Sequence, residues 1–416
     1  MQASQAAIRN GNYAMAEQLL KRVVEKDPKH KSVRRNLGFV LVQERKYDEA
    51  ITVLREQTKI NPFEDYAYNM LGRVYWYQQD YPNAEESFRK QIEVTPLDQT
   101  AHSNLGQMLV ESRKYNEAIP ELERALSLTP DEEILHISMG RAHLALGETP
   151  KAIASFEEAI KLSRTPLVLN NVAYYLAVYG AQLDKAQQYA ESAATTIAAS
   201  LRNLEAGNLT IDDLHSVASL AAYWDTLGWV YYAKGDLDSA EKYIKASWTL
   251  QQHSEVGHHM GAVAEKRGKK EEAIRLYAQG AVAASLRPEA RESLLKLIKP
   301  DTVESLLQAA RKELPAYQTI TLAPAPAGAK AATEAEFYLL FAPDANRHAQ
   351  VIDVKFISGD ESLKALTAQL KSVKYQLEFP DASPTKIVRR GALRCEAAPG
   401  PCKFFMTPPD MVTSLD

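Results

Sequence analysis

The chain has 416 residues, 45% hydrophobic and 25% charged, with a formal net charge of -4. That balance excludes disordered and fibrous classes and gives no bulk attraction to nucleic acid or anionic lipid. At this length one ordinary core is excluded too, so two or three domains or a repeat array are expected.

The opening stretch, "MQASQAAIRNGNYAMAEQLL", has no basic segment followed by an apolar one, so it does not read as a secretory signal. No later window approaches ~18 consecutive apolar residues, and no membrane span is expected. The chain is instead periodic. Pro28, Pro62, Pro96 and Pro130 recur at intervals of 34, as do Gly38, Gly72, Gly106 and Gly140. Each glycine comes after an apolar residue, namely Leu37, Leu71, Leu105 or Met139. Ala16, Ala50, Ala84, Ala118 and Ala152 keep the same interval, and four residues further stand Leu20, Leu54, Phe88, Leu122 and Phe156. A mid-helix glycine costs roughly 1 kcal/mol relative to alanine. Its recurrence therefore marks a place where two helices cross closely. Pro82 and Pro150 fall just inside the second helix of their units, where proline loses no hydrogen bond.

These columns resemble the tetratricopeptide repeat, whose 34-residue helix-turn-helix unit stacks into an α-solenoid. In that register Arg34 fills the bulky place ahead of Leu37, and Met1 lies 33 residues before it. The first helix of the first unit is thus expected to lack its opening turn. Beyond Pro130 the pattern loosens. Residues 167 to 193 read as a sixth unit with Ala173 in the glycine column. Trp224, Leu227, Gly228, Tyr231 and Ala240 mark a seventh unit; Met260, Gly261, Ala273 and Tyr277 mark an eighth. An insertion between the sixth and seventh, with "TIDD" as a helix start, predicts an elongated helical hairpin at about 184–234. The array is expected to span 1–285. Capping helices come next at 286–314, the second opening on an Asp301–Glu304 capping box, and then a Pro/Ala linker at 315–334.

From 335 to 416 the period changes to 2. Strands are predicted at "EFYLLFA" and "QVIDVKFIS", a helix at "ESLKALTAQL", a strand at 373–379, and two more at 386–396 and 402–407. The expectation is a small α/β domain, an antiparallel or mixed sheet with one helix. Its order of elements and the passage "SGDESLKALTAQLKSVKYQLEFP" resemble the C-terminal domain of TonB-type energy transducers. Residues 167–299 are similar to the repeats of bacterial envelope proteins that carry a transglutaminase-like domain ahead of them. Cys395 and Cys402 flank a turn that would put them at disulfide distance, leaving a disulfide or two free thiols. A disulfide implies an oxidising compartment, hence a periplasmic or envelope location and a truncated N-terminus; the sequence as written reads as cytoplasmic.

No H-E-x-x-H, Walker loop or G-x-S-x-G occurs, and no catalytic residue, metal site or cofactor is predicted. His258 and His259 read as a surface pair, and His102, His136 and His143 as fillers between helices. Lys386, Arg389, Arg390 and Arg394 read as an exposed sheet edge protected by charge. One residue on from each glycine the helix turns about 100°, away from the packed side. Arg35, Tyr66, Asn69, Arg73, Tyr77, Ser103, Gln107, Arg141, Asp225 and Trp229 are thereby predicted to line an inner, peptide-binding groove. Amides would bond an extended peptide's backbone and rings would cover its side chains. Two functions remain open. One is a non-catalytic scaffold for a protein or extended peptide, its small domain docking a second partner. The other is the accessory part of an envelope transglutaminase-like enzyme.

Overall fold

The structure, a computed structural model, describes residues 2–30, 32–284, 287–322, 333–381, 383–397 and 400–412. It comprises two compact bodies, Met1–Arg164 and Thr165–Asp416.

The N-terminal body is a run of helical hairpins: α1 (Gln2–Arg9) with α2 (Tyr13–Lys26), α3 (Val33–Gln43) with α4 (Tyr47–Ile60), and α5 (Asp65–Tyr77) with α6 (Tyr81–Val94). α7 (Gln99–Glu111) with α8 (Tyr115–Leu128) and α9 (Glu133–Ala145) with α10 (Thr149–Leu162) complete it. The glycine columns do what the period implies. A Cβ at Gly38, Gly72 or Gly106 would lie 2.5, 2.5 or 2.7 Å from Leu54, Phe88 or Leu122 of the next helix, and Gly140 faces Phe156 in the same way. Ala50, Ala84, Ala118 and Ala152 are fully buried at the same crossings. Each first helix ends on a left-handed residue: Gly11 (φ 70°), Arg45 (59°), Gln79 (60°), Arg113 (63°) and Gly147 (76°). The next amide then reaches back to an orphan carbonyl, as in Lys46 N to Leu41 O at 2.8 Å and Asp80 N to Tyr75 O at 2.9 Å. First helices also pack on one another, α3 on α5, α5 on α7 and α7 on α9.

The C-terminal body continues with α11 (Pro166–Val178), α12 (Leu183–Ser200), α13 (Ile211–Lys234), α14 (Leu237–Leu250), α15 (Ser254–Lys266) and α16 (Lys270–Val282). α12 and α13 run to 18 and 24 residues, against 13 or 14 for their neighbours, and form the expected long hairpin. Thr210 and Asp213 make a reciprocal capping box at the start of α13, each accepting from the other's backbone at 3.2 and 2.8 Å. α17 (Pro288–Leu297) and α18 (Val303–Glu313) cover α16. The Asp301–Glu304 box does not form. A 3₁₀ turn, Pro300–Thr302, leads into α18 without a side-chain cap, and Glu304 accepts from Arg311 instead.

The sheet comprises β1 (Thr319–Leu322), β2 (Thr333–Pro343), β3 (Ala349–Gly359), β4 (Ile387–Cys395) and β5 (Cys402–Met406), all antiparallel in the order β1-β5-β4-β2-β3, with α19 (Thr367–Ser372) packed on β3. Three expectations change here. Residues 319–322, assigned to the linker, pair with β5 from Thr319↔Phe405 to Leu322↔Cys402; the β-branched "TIT" covers an otherwise bare edge. Of the other linker residues, 315–317 lie in a 3₁₀ helix, Thr333 and Glu334 open β2, and 323–332 lie outside the described ones. Residues 373–379 form no strand. Their alternation records burial in two directions, Tyr375 edge-on to Phe341 at 5.0 Å and Phe379 to Trp224 at 6.3 Å. Three strands thus precede the helix and two come after it, unlike the order that prompted the energy-transducer resemblance.

The third change concerns the basic strand. β4 lies inside the sheet, and Arg389 is 1% exposed, donating to Leu250 O at the end of α14 (2.9 Å) and to Thr407 O (3.1 Å). Arg390 and Arg394 pair with Glu336 and Glu334 of β2, and Lys386 donates to Leu204 O. Burial lowers the Arg389 pKa to about 10 against the attraction of Asp410, while the carbonyl end of α14 receives the charge. Tyr243 donates to Asp381 (3.1 Å) and Glu378 N to Thr249 Oγ1 (3.1 Å), so residues 335–416 lie in the same body as α11–α18. Cys395 and Cys402, register partners at the ends of β4 and β5, are joined by a disulfide.

Candidate functional site

In the N-terminal body the groove residues sit on α3, α5, α7 and α9, the mutually packed first helices. They divide into braced and projecting side chains. Arg35 pairs with Glu64 at 3.0 Å, its guanidinium 5.8 Å from the centre of the Tyr66 ring. Asn69 is buried and donates to Gln91 Oε1 at 3.1 Å; Gln91 in turn donates to Asp98. Ser103 is buried and accepts from Gln107 at 2.9 Å. Arg141 is half-buried. Projection is greatest at Tyr66, 40% exposed, and at Tyr77, 56% exposed, whose hydroxyl accepts from Arg73 Nη2 at 3.0 Å. Tyr77 also lies 6.4 Å from Tyr47. Asn69, predicted to bond a peptide backbone, ties α5 to α6 through Gln91, whereas the bond of Ser103 stays within α7.

Asp225 and Trp229 belong to the other body, where the sequence reading changes most. His258 and His259 are no surface pair. α11, α13 and α15 converge there, and His259 is 2% exposed with Nδ1 donating to both carboxylate oxygens of Asp225 at 3.0 Å. Its ring stacks on Trp229 with centroids 3.9 Å apart, and Trp229 stacks on Tyr232 at 4.5 Å. Burial pushes the His259 pKa down, but the carboxylates of Asp225 and Glu255 outweigh it and raise it overall. His258 has no such partner. Burial takes its pKa down to about 4, and its Nε2 meets Ser293 Oγ at 3.2 Å. Beside them the Tyr174 hydroxyl donates to Glu255. Burial and that carboxylate raise the tyrosine's pKa far above the usual range.

His102 and His143 are buried between helices as expected, bonded to Glu121 (2.7 Å) and Glu148 (2.6 Å), and His136 reaches Pro130 O at 3.3 Å. Among the described residues no group of three or more His, Cys, Asp or Glu is placed to hold a metal ion, and no helix is long and apolar enough to cross a membrane.

Family profiles described as tetratricopeptide repeat match residues 7–74 and 109–169, residues 69–133, and residues 221–253. The chain carries tetratricopeptide repeats. No curated protein matches it. Among solved structures, a crystal structure of MamA protein is 20% identical over 39% of this chain and 90% of that one, with a TM-score of 0.38. A form of MamA denoted AMB-1 is 24% identical over 39% and 89%, with a TM-score of 0.37. YrrB, described as a TPR protein with an unusual peptide-binding site, is 18% identical over 42% and 91%, at 0.37.

The repeat register could have found the side chains that sequence reasoning missed. Asn170 and His258 occupy the column of Asn69, Tyr174 that of Arg73, and Glu255 that of Tyr66. The register does not say that these columns meet, which follows from the contacts among α11, α13 and α15.

Proposed function

We propose that the protein is a non-catalytic interaction scaffold whose N-terminal repeats hold an extended peptide along the face of α3, α5, α7 and α9. One observation carries this reading. Arg73 and Tyr77 stand out from a helix whose opposite face is fully packed, and their described hydrogen bond is to each other, so neither is needed by the core. A carboxylate of the peptide would take over the Arg73 guanidinium, and Tyr66 and Tyr77 would cover adjacent side chains. Gln107 and Arg141 extend the row. The disulfide-bearing sheet serves as a second docking module in this reading. The resemblance to transglutaminase-like envelope proteins contributes no activity.

The test compares the full chain with an Arg73→Ala, Tyr77→Ala double variant. Proteins retained from the native host are identified by mass spectrometry, and peptides from them are titrated against both forms. Loss of binding with unchanged helicity supports the groove. Equal affinity for both forms moves the site elsewhere.

A further inference from the structure

On α11 the side chains Leu167, Asn170, Tyr174 and Val178 are spaced three, four and four residues apart and form one stripe. Its two ends are apolar yet exposed, Leu167 at 51% and Val178 at 44%. Between them Asn170 is only 7% exposed, and its Oδ1 has no hydrogen-bond partner. A buried amide oxygen left unpaired destabilises a fold and has no use in packing alone. The equivalent amide in the third repeat, Asn69, is tied to Gln91. Asn170 lies one turn before Tyr174, whose hydroxyl leads to Glu255 on α15. Trp229 on α13 completes the wall, its indole Nε1 also buried without a partner. Asp225 is matched by His259, whereas Glu255 has no cation within hydrogen-bond reach among the described contacts: burial pushes its pKa up, but His259, the Tyr174 hydroxyl and Arg287 outweigh it and hold the carboxyl below its ordinary value, so it stays ionised. Burial holds His258 neutral, so it supplies no second cation.

We propose that the face formed by α11, α13 and α15 binds a segment of a partner protein that presents a basic side chain between apolar residues. The cation approaches Glu255 beside the Trp229 ring, an N–H donates to Asn170 Oδ1, and the apolar flanks rest on Leu167 and Val178. This site is independent of the N-terminal groove, and its ligand carries the opposite charge.

Random dodecapeptides displayed on phage are selected on the immobilised full chain, on Glu255→Gln, on Asn170→Leu and on Arg73→Ala, Tyr77→Ala. Parent and Arg73/Tyr77 variant are expected to enrich peptides with a fixed Arg or Lys flanked by apolar residues. A synthetic peptide of that sequence should bind Glu255→Gln and Asn170→Leu at least tenfold more weakly, and replacing its Arg or Lys by citrulline or norleucine should have the same effect. Asn170→Leu removes the unpaired oxygen, so it should melt at or above the parent temperature. Its weaker binding is then no folding defect. Absence of basic enrichment, or affinity unchanged by Glu255→Gln, overturns the proposal. Basic peptides lost only from the Arg73/Tyr77 variant overturn it as well and assign them to the N-terminal groove.

Discussion

Replacing Gly72 tests whether the glycine column exists to admit the second helix. A Cβ there would lie 2.5, 2.6 and 2.8 Å from three atoms of the Phe88 ring, where ordinary contact begins at 3.4 Å, so the ring must retreat by the differences, 0.9 to 0.6 Å. Phe88 has little room to do so, being fully buried and edge-on to Trp76 at 6.3 Å. For Gly72→Ala, overpacking of ~1–3 kcal/mol is partly offset by ~1 kcal/mol of helix propensity, leaving a net loss of roughly 0–2 kcal/mol. Gly72→Leu must displace the ring, and the expected loss approaches the ~3–5 kcal/mol of deleting it. Phe88→Ala alone should cost a similar amount. In the double variant the leucine fills the vacated space, so the combined loss should fall short of the sum by at least ~2 kcal/mol. Hydrogen exchange of α5 and α6 peptides, read out by mass spectrometry, reports these local stabilities in the intact chain. A Gly72→Leu protein protected like the parent, or effects that add within ~0.5 kcal/mol, would refute the crossing argument.

The adjacent histidines should give opposite pH limbs. His258 falls from an ordinary 6.5 to about 4, so its contribution is complete above 6.5 and is lost as pH falls towards 4, with a ceiling of roughly 3 kcal/mol. His259 is raised, so its contribution is complete below 6.5 and is lost as pH rises through the elevated value. In thermal melts across pH 4–8, His258→Gln should flatten the acid limb and His259→Gln the alkaline one; profiles matching the parent would contradict both assignments. Arg389→Met should leave Leu250 O and Thr407 O unpaired and cost about 1–3 kcal/mol, seen as faster exchange in β4 and the last turn of α14. Unchanged protection there would show that the arginine does not fasten the sheet. Alkylation of the denatured, unreduced protein should find no free thiol, and Cys395→Ser with Cys402→Ser should cost roughly 2–3 kcal/mol for so short a loop. Recovery of two thiols would count against the bond.

Period and composition alone specified the helical hairpins, the glycine–aromatic crossings and the long α12–α13 pair. All depend on contacts between residues close in sequence, such as Gly72 with Phe88 or Thr210 with Asp213, so a local pattern records them. A groove face could be ruled along the regular repeats for the same reason, since helical geometry turns spacing into direction. The pattern could not say which of those side chains are occupied. Asn69 is spent on Gln91 and Asp225 on His259, partners 22 and 34 residues away. Nor could it foresee that 319–322 would join a sheet through β5, or that Arg389 would be buried against α14 rather than guard an edge. Only the tertiary structure decided these. A strand's neighbours are set by long-range pairing, and a charge is tolerated inside when a distant helix end supplies carbonyls for it. The quartet of buried Asp225 and His259 with half-buried Tyr174 and Glu255 arises in the same way, from three helices whose convergence no segment encodes by itself.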